Sequence, residues 1–167
     1  MTTTTATATG VTTQVYRVYI KATPQAIWDA ITIPEWAEKY GYASRVEYDL
    51  RPGGAYRGFA NDAMRAHGAA DVILVGEVLE SDPPRKLVQT WHAMFDPSTA
   101  AEPATTLIWE IVPQQGGVTM LTVTHDVTGA PALARIVSGQ DPNAGGGWSF
   151  VLSDLKTLLE TGKAFAG

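Results

Sequence analysis

The feature that most constrains the fold is a succession of short segments in which apolar and polar residues alternate. Period-2 alternation is typical of half-buried strands, because successive side chains of a strand point to opposite faces. Turn residues separate these segments, and short connections between successive strands favour antiparallel neighbours. The predicted strands span residues 14–21, 45–50, 55–60, 72–81, 86–94, 105–113 and 118–127. The sequence therefore predicts an antiparallel sheet of seven strands.

Two short helices are predicted between the first and second strands. Thr23 followed by Pro24 is typical of a helix start, since threonine caps the first turn and proline fits its first position. A second start at Pro34 places Trp36 and Tyr40 on one face of a further turn.

A long helix is predicted near the C-terminus, over residues 147–161, after a short amphipathic helix over residues 131–138 that could act as a lid. The long helix carries one apolar stripe, with Asp154, Lys156 and Glu160 expected outside it. The stripe consists of Trp148, Val151, Leu152, Leu155, Leu158 and Leu159. A single stripe packs on one face of a sheet, so the predicted class is α+β.

Length and composition favour one domain. A chain of 167 residues, 45% of them hydrophobic, fits a single core. We assign that domain to residues 14–167. Residues 1–13 are rich in threonine and alanine, lack the basic and apolar regions of a secretory signal, and are predicted to be a flexible tail.

Charge and residue usage exclude several classes of function. The net charge is −5 and the 12 lysines and arginines form no run, which argues against nucleic acid as a partner. No apolar stretch is long enough to cross a membrane. The absence of cysteine excludes disulfides and thiolate metal sites and suits the cytoplasm. His67, His92 and His125 do not form a ligand set, so no metal and no cofactor is predicted, and a homodimer is left open.

Six motifs, which together extend over about residues 14–161, resemble one known family. They are Ala22-Thr23-Pro24 with Ile27-Trp28, Asp49 to Gly54, Gly76 to Glu80, Asp82-Pro83-Pro84 with Leu87 and Thr90-Trp91, Leu121 to His125, and Gly146-Gly147-Trp148. The chain resembles the activators of the heat-shock-protein ATPase, within the START-like, birch-pollen-allergen-like superfamily. The resemblance implies a helix-grip fold, a curved antiparallel sheet around a long C-terminal helix. It also implies a domain that binds small apolar molecules, with some relatives acting as polyketide cyclases and others as stress or resistance proteins.

An apolar ligand pocket is predicted where the inner face of the sheet meets the last helix. Charged positions such as Glu110 are taken as facing outward, and the alternation then turns large aromatic rings inward. Rigid rings with few polar groups among them suit a small-molecule site, although they could instead fill the core. The candidate ligand-binding residues are Trp36, Tyr40, Tyr56, Gln89, Trp91, Trp109, His125, Ile136, Trp148 and Leu152.

The inward polar residues do not define a catalytic set. Gln89 and His125 need hydrogen-bond partners once buried, and either the protein or a ligand can provide them. His125 and Asp126 are adjacent on a strand and therefore point to opposite faces. We assign no catalytic residue.

Three functions remain open from the sequence. The leading hypothesis is binding of a small hydrophobic or aromatic molecule. The alternative is a cyclase- or hydrolase-type enzyme for a polyketide-like or aromatic substrate, with His125 or Glu80 as the acid-base group. A third is a co-chaperone-like interaction module. Two or more acid-base groups converging on one point of the cavity would favour the enzyme.

Overall fold

The sheet is the main layer of the structure, a computed structural model that describes residues 12–166. Most of the predicted tail, residues 1–11, lies outside the described residues. The strands are β1 (Thr13–Ile20), β2 (Val46–Tyr48), β3 (Ala55–Phe59), β4 (Val72–Asp82), β5 (Lys86–Ala93), β6 (Thr105–Pro113) and β7 (Thr119–Asp126). They form one antiparallel sheet in the order β1-β7-β6-β5-β4-β3-β2. All seven predicted strands are confirmed, with small changes at their ends.

Six α-helices accompany the sheet within residues 12–166. They are α1 (Pro24–Thr32), α2 (Pro34–Ala37), α3 (Asp62–Ala66), α4 (Pro97–Ala100), α5 (Pro131–Val137) and α6 (Gly147–Thr161). The Thr23 hydroxyl accepts from the Ala26 amide and caps α1 as expected. The helix-grip fold is confirmed, with α6 as its long C-terminal helix.

Helices α3 and α4 were not predicted. Each begins after a residue that also suits a turn, Asn61 or Asp96, and the side chain of that residue accepts a backbone amide of the first helical turn. Asparagine and aspartate favour both turns and helix N-caps. Because each helix has five residues or fewer, no apolar period identifies it in the sequence.

The start of α6 depends on glycine. Gly147 has a φ of +67°, and a Cβ there would lie 2.2 Å from the carbonyl oxygen of Val137. No larger residue fits this approach between α5 and α6. The glycine therefore determines where Trp148 enters the interior.

Asp154 lies inside the protein, contrary to the prediction from the helical stripe. Its Oδ2 accepts from the amide of Gly41 at 2.8 Å, and its Oδ1 accepts from the amides of Phe165 and Ala166 at 2.7 and 3.3 Å. Backbone segments before β2 and after α6 approach the helix at this point. The helical pattern of α6 carries no information about these three backbone amides, so it could not predict that Asp154 is buried as their acceptor.

Strand β4 contains a bulge between Val78 and Glu80. Val78 is buried, whereas Glu77, Leu79 and Glu80 are all exposed. A bulge bends the strand and changes which side chains face inward. It therefore places Glu80, one of the two candidate acid-base residues, in solvent, where it lies 3.9 Å from the Lys86 ammonium.

We expect Leu155→Ala to lower the free energy of unfolding by about 2–5 kcal/mol, because it empties a fully buried site between α6 and the sheet. Urea denaturation measures the loss. Leu159→Ala, at a half-buried position of the same helix, is the control and should cost less. A loss below about 1 kcal/mol for Leu155→Ala would contradict the packing of α6.

Replacing Asp154 with alanine should lower the free energy of unfolding by about 2–4 kcal/mol, since it leaves three backbone amides without their acceptor. Ser153→Ala, on the exposed side of the same helical turn, should have little effect. Equal losses in the two variants, compared by urea denaturation, would show that these hydrogen bonds contribute nothing.

Candidate ligand-binding cavity

A cavity of about 510 Å³ lies between the sheet and the helices. Small-molecule sites in proteins typically span roughly 300–1,000 Å³. Its apolar and aromatic lining includes Val46, Tyr48, Tyr56, Ile73, Leu74, Trp91 and Trp109 from the strands, Ile31 and Ala37 from α1 and α2, Tyr40 from the segment after α2, Met64 from α3, and Ile136, Val137, Trp148 and Val151 from α5 and α6. The volume is large enough for a ligand of several rings.

Six of the ten candidate residues line this cavity. They are Tyr40, Tyr56, Trp91, Trp109, Ile136 and Trp148. They come from strands, from the connection between α2 and β2, and from helices α5 and α6. Contact with a ligand remains a prediction for all six.

The other four candidates do not line the cavity. Gln89 and His125 are fully buried behind the tryptophans, and Leu152 packs in the core while its neighbour Val151 reaches the cavity. Trp36 is half-buried, with the Lys39 ammonium 4.3 Å from its ring centroid. Strand alternation separates inner from outer faces, but it does not separate cavity wall from the solid core behind it.

The three cavity-lining tryptophans are held by hydrogen bonds. Trp109 Nε1 donates to Gln89 Oε1 at 3.2 Å, Trp91 Nε1 donates to the Tyr56 hydroxyl at 3.2 Å, and Trp148 Nε1 donates to His125 Nδ1 at 3.1 Å. Trp148 also packs edge-on against Trp109, with 5.3 Å between ring centroids. Since each indole N–H has a protein acceptor, the rings present mainly apolar surface to the cavity.

His125 has a positioning role in this geometry. The Thr105 hydroxyl donates to the Trp91 carbonyl at 2.7 Å, so its oxygen accepts from His125 Nε2, 2.8 Å away. His125 Nδ1 is then the acceptor for Trp148, which requires a neutral ring. Burial lowers the pKa of His125 from 6.5 to about 4 and favours the same state.

Three tyrosines add hydroxyl groups to the cavity region. Tyr40 donates to the Ala30 carbonyl at 3.0 Å and Tyr48 donates to Gln89 Oε1 at 2.6 Å. Burial raises the pKa of Tyr40, Tyr48 and Tyr56 above the usual tyrosine value, so all three stay neutral at ordinary pH. Tyr48 was missed from the sequence, although its period-2 spacing from Val46 could have placed the two on one face.

The open side of the cavity is formed by exposed and half-exposed residues. The rim includes Tyr42, Ser44, Phe95, Asp96, Asp141, Asn143 and Ala144. The Tyr42 hydroxyl accepts from the Gly147 amide at 3.0 Å and lies 3.4 Å from the Ala144 carbonyl oxygen. In the helix predicted as a lid over residues 131–138, Ile136 and Val137 line the cavity, whereas Leu133 is buried away from it.

The part of the chain over residues 12–166 contains no group of three or more aspartates, glutamates and histidines arranged to hold a metal ion. It also contains no helix of sufficient length and hydropathy to span a membrane.

Comparison with known proteins assigns the fold independently. Residues 21–160 match the family described as Activator of Hsp90 ATPase homolog 1-like protein. The crystal structure of CalU16 from Micromonospora echinospora is 20% identical, and the match covers 90% of this chain and 77% of that chain with a TM-score of 0.62. No curated protein is a significant match.

Two other similar structures come from Plasmodium falciparum and Colwellia psychrerythraea. An HSP90 activator from Plasmodium falciparum is 18% identical over 90% of this chain and 97% of that chain, with a TM-score of 0.63. The Aha1 dimer from Colwellia psychrerythraea is 17% identical over 92% of this chain and 100% of that chain, with a TM-score of 0.66. At this level of identity the similarity establishes the fold alone.

We expect the wild type to lose about 3 kcal/mol of unfolding free energy between about pH 7 and pH 4 through His125 alone. The folded-state pKa of about 4 lies below 6.5, so the unfolded chain takes up the proton first as the pH falls. His125→Asn keeps an acceptor for Trp148 and removes this titration. Urea denaturation across this range should therefore show a shallower pH dependence for the variant.

His67→Asn is the matched control, because it removes an exposed histidine after α3. It should keep the wild-type pH dependence. Parallel curves for the wild type and His125→Asn would contradict a buried neutral His125.

Proposed function

The chain belongs to the Activator of Hsp90 ATPase homolog 1-like family, and on this basis we propose that it binds a small hydrophobic or aromatic molecule in the cavity between the sheet and α6. The observation that carries the proposal is the cavity itself, about 510 Å³ with a predominantly apolar and aromatic lining. A ligand that moves its apolar surface from water to this lining gains roughly 25 cal/mol per Å². The proposed contacts are the six lining candidates, together with Tyr48.

The hydrogen bonds behind the wall support binding to a preformed site. The indole groups of Trp91, Trp109 and Trp148 are already oriented by protein acceptors. A ligand therefore does not have to order these side chains on binding, which reduces the entropic cost of association.

The alternative of a cyclase- or hydrolase-type enzyme has less support from the geometry. Glu80 is exposed, and His125 lies behind the wall with both ring nitrogens engaged by Thr105 and Trp148. General acid-base catalysis needs a group within hydrogen-bond reach of the reacting atoms. Neither candidate meets that condition in this structure, so binding is the better supported function.

A role as an interaction module is suggested by the names of similar proteins and not by the cavity. The Plasmodium falciparum protein is named as an HSP90 activator and the Colwellia psychrerythraea protein is named as a dimer. A homodimer and a cytoplasmic location are compatible with the proposal, and neither is required for a ligand to enter the cavity.

We expect the uncharged fluorophore N-phenyl-1-naphthylamine to bind saturably, with a dissociation constant in the micromolar range or weaker, about −8 kcal/mol or less in magnitude. Three of the five tryptophans line the cavity, so its occupation should quench tryptophan emission. Fluorescence titration records both signals, and native mass spectrometry of the purified protein tests for a bound natural ligand.

Ile136→Asp places a charge in the lining and should weaken probe binding at least about tenfold. Val15→Asp is the control, because Val15 is 56% exposed on β1 and lies outside the lining. Absence of saturable binding to the folded wild type would refute the proposed function. Equal weakening by both substitutions would show that the probe binds elsewhere.

A further inference from the structure

The charged groups in the cavity lining are all negative. No lining residue among those described is lysine, arginine or histidine. Within residues 12–166 the charged lining residues are Asp96 and Asp141, and both are at least partly exposed. The open side of the cavity therefore carries negative charge that no neighbouring lining cation balances.

Both carboxylates have an oxygen available for a ligand. Asp96 Oδ1 accepts from the Thr99 amide at 2.9 Å and the Ser98 hydroxyl at 2.7 Å, and Asp141 Oδ1 accepts from the Asn143 amide at 2.9 Å. Within residues 12–166, the Oδ2 atoms of Asp96 and Asp141 form no hydrogen bond, and neither side chain takes part in an ion pair. The oxygens that cap the local backbone and those that are free are thus different atoms.

The buried part of the cavity contains a hydroxyl that can donate. Tyr56 is 4% exposed and lines the cavity, and its oxygen accepts from Trp91 Nε1 at 3.2 Å. Its own hydrogen has no acceptor within the described residues, whereas the Tyr40 and Tyr48 hydroxyls both donate to protein oxygens. A buried donor without an acceptor is unfavourable, and a ligand oxygen would satisfy it.

We propose that the cavity takes an aromatic ligand with a carbonyl-type oxygen, which accepts from Tyr56, and a protonated amine, which pairs with the rim carboxylate of Asp96 or Asp141. This inference rests on the proposed function and specifies its ligand class. A ligand carboxylate would enter a lining without a cation and approach two like charges, so anionic aromatics bind least well.

The charge preference can be tested with three anthracenes of similar size, 9-(aminomethyl)anthracene, 9-anthracenemethanol and anthracene-9-carboxylate, by isothermal titration calorimetry at pH 7. The wild type should bind the amine about three- to tenfold more tightly than the alcohol, and the carboxylate more weakly than both. The preference should shrink in 1 M salt, where the Debye length falls to about 3 Å.

Asp96→Asn with Asp141→Asn should abolish the preference for the amine and leave binding of the alcohol unchanged. Asparagine retains the acceptor oxygen that each carboxylate uses for the local backbone, so the rim keeps its hydrogen bonds. Glu77→Gln with Glu110→Gln removes the same formal charge from exposed strand positions outside the lining and should keep the preference.

The Tyr56 contact can be tested with fluorenone and fluorene, which differ by one carbonyl oxygen. The wild type should prefer fluorenone about two- to tenfold, and Tyr56→Phe should remove that preference. Tyr56→Phe also removes the acceptor of Trp91 Nε1, so the measured quantity is the ratio of fluorenone to fluorene affinity within each protein, not either affinity alone.

The outcomes separate this inference from the function on which it rests. If neither the uncharged fluorophore nor any anthracene binds the folded protein, the proposed function fails and the inference fails with it. If the alcohol binds but the amine is not preferred, or the preference survives in the Asp96 and Asp141 variant, the ligand class is overturned and binding stands. Equal affinity for fluorenone and fluorene in the wild type also overturns the ligand class.

Discussion

The hydrogen bond from Trp148 Nε1 to His125 Nδ1 links the first turn of α6 to strand β7 inside the protein. It forms because Gly147 permits the backbone to pass the Val137 carbonyl and bring Trp148 inward. It also requires His125 to be neutral, and the Thr105 hydroxyl on β6 fixes the tautomer that leaves Nδ1 free to accept. One buried contact thus couples the position of the helix, the protonation state of a core residue and the orientation of an indole ring in the cavity wall.

The fold was predictable because its signals are local and repeated. Seven alternating segments and one apolar stripe identify the strands and α6, and glycine and proline mark most of their ends. The failures concern contacts between distant segments. Asp154 satisfies the helical pattern of an outward residue, but the amides of Gly41, Phe165 and Ala166 make it a buried acceptor. The bulge at Val78 and Glu80 similarly depends on the pairing of β4 with β5 rather than on β4 alone.

The sequence predicted which side chains point to the inner face of the sheet, but it did not predict which of them line the cavity. Strand alternation correctly turned Gln89 and His125 inward, yet both serve as acceptors behind the tryptophans instead of lining the cavity. The sequence pattern reports which face a residue occupies, and the distance from that face to the helix decides whether solid core or free volume lies beyond it. The rim of the cavity includes Asp141, Asn143 and Ala144, whose loop has no periodic pattern from which their proximity could be inferred.

The same hydrogen bonds explain why the cavity does not close by rearrangement of its aromatic wall. Moving an indole ring into the cavity would separate its N–H from an acceptor, and a buried unpaired donor costs roughly 1–3 kcal/mol. Three rings with three separate acceptors, namely Gln89, the Tyr56 hydroxyl and His125, resist such a collapse together. The side chains of the protein could fill the cavity only by losing these hydrogen bonds. A ligand in the cavity adds dispersion contacts without disturbing the acceptors, and this difference favours binding over repacking.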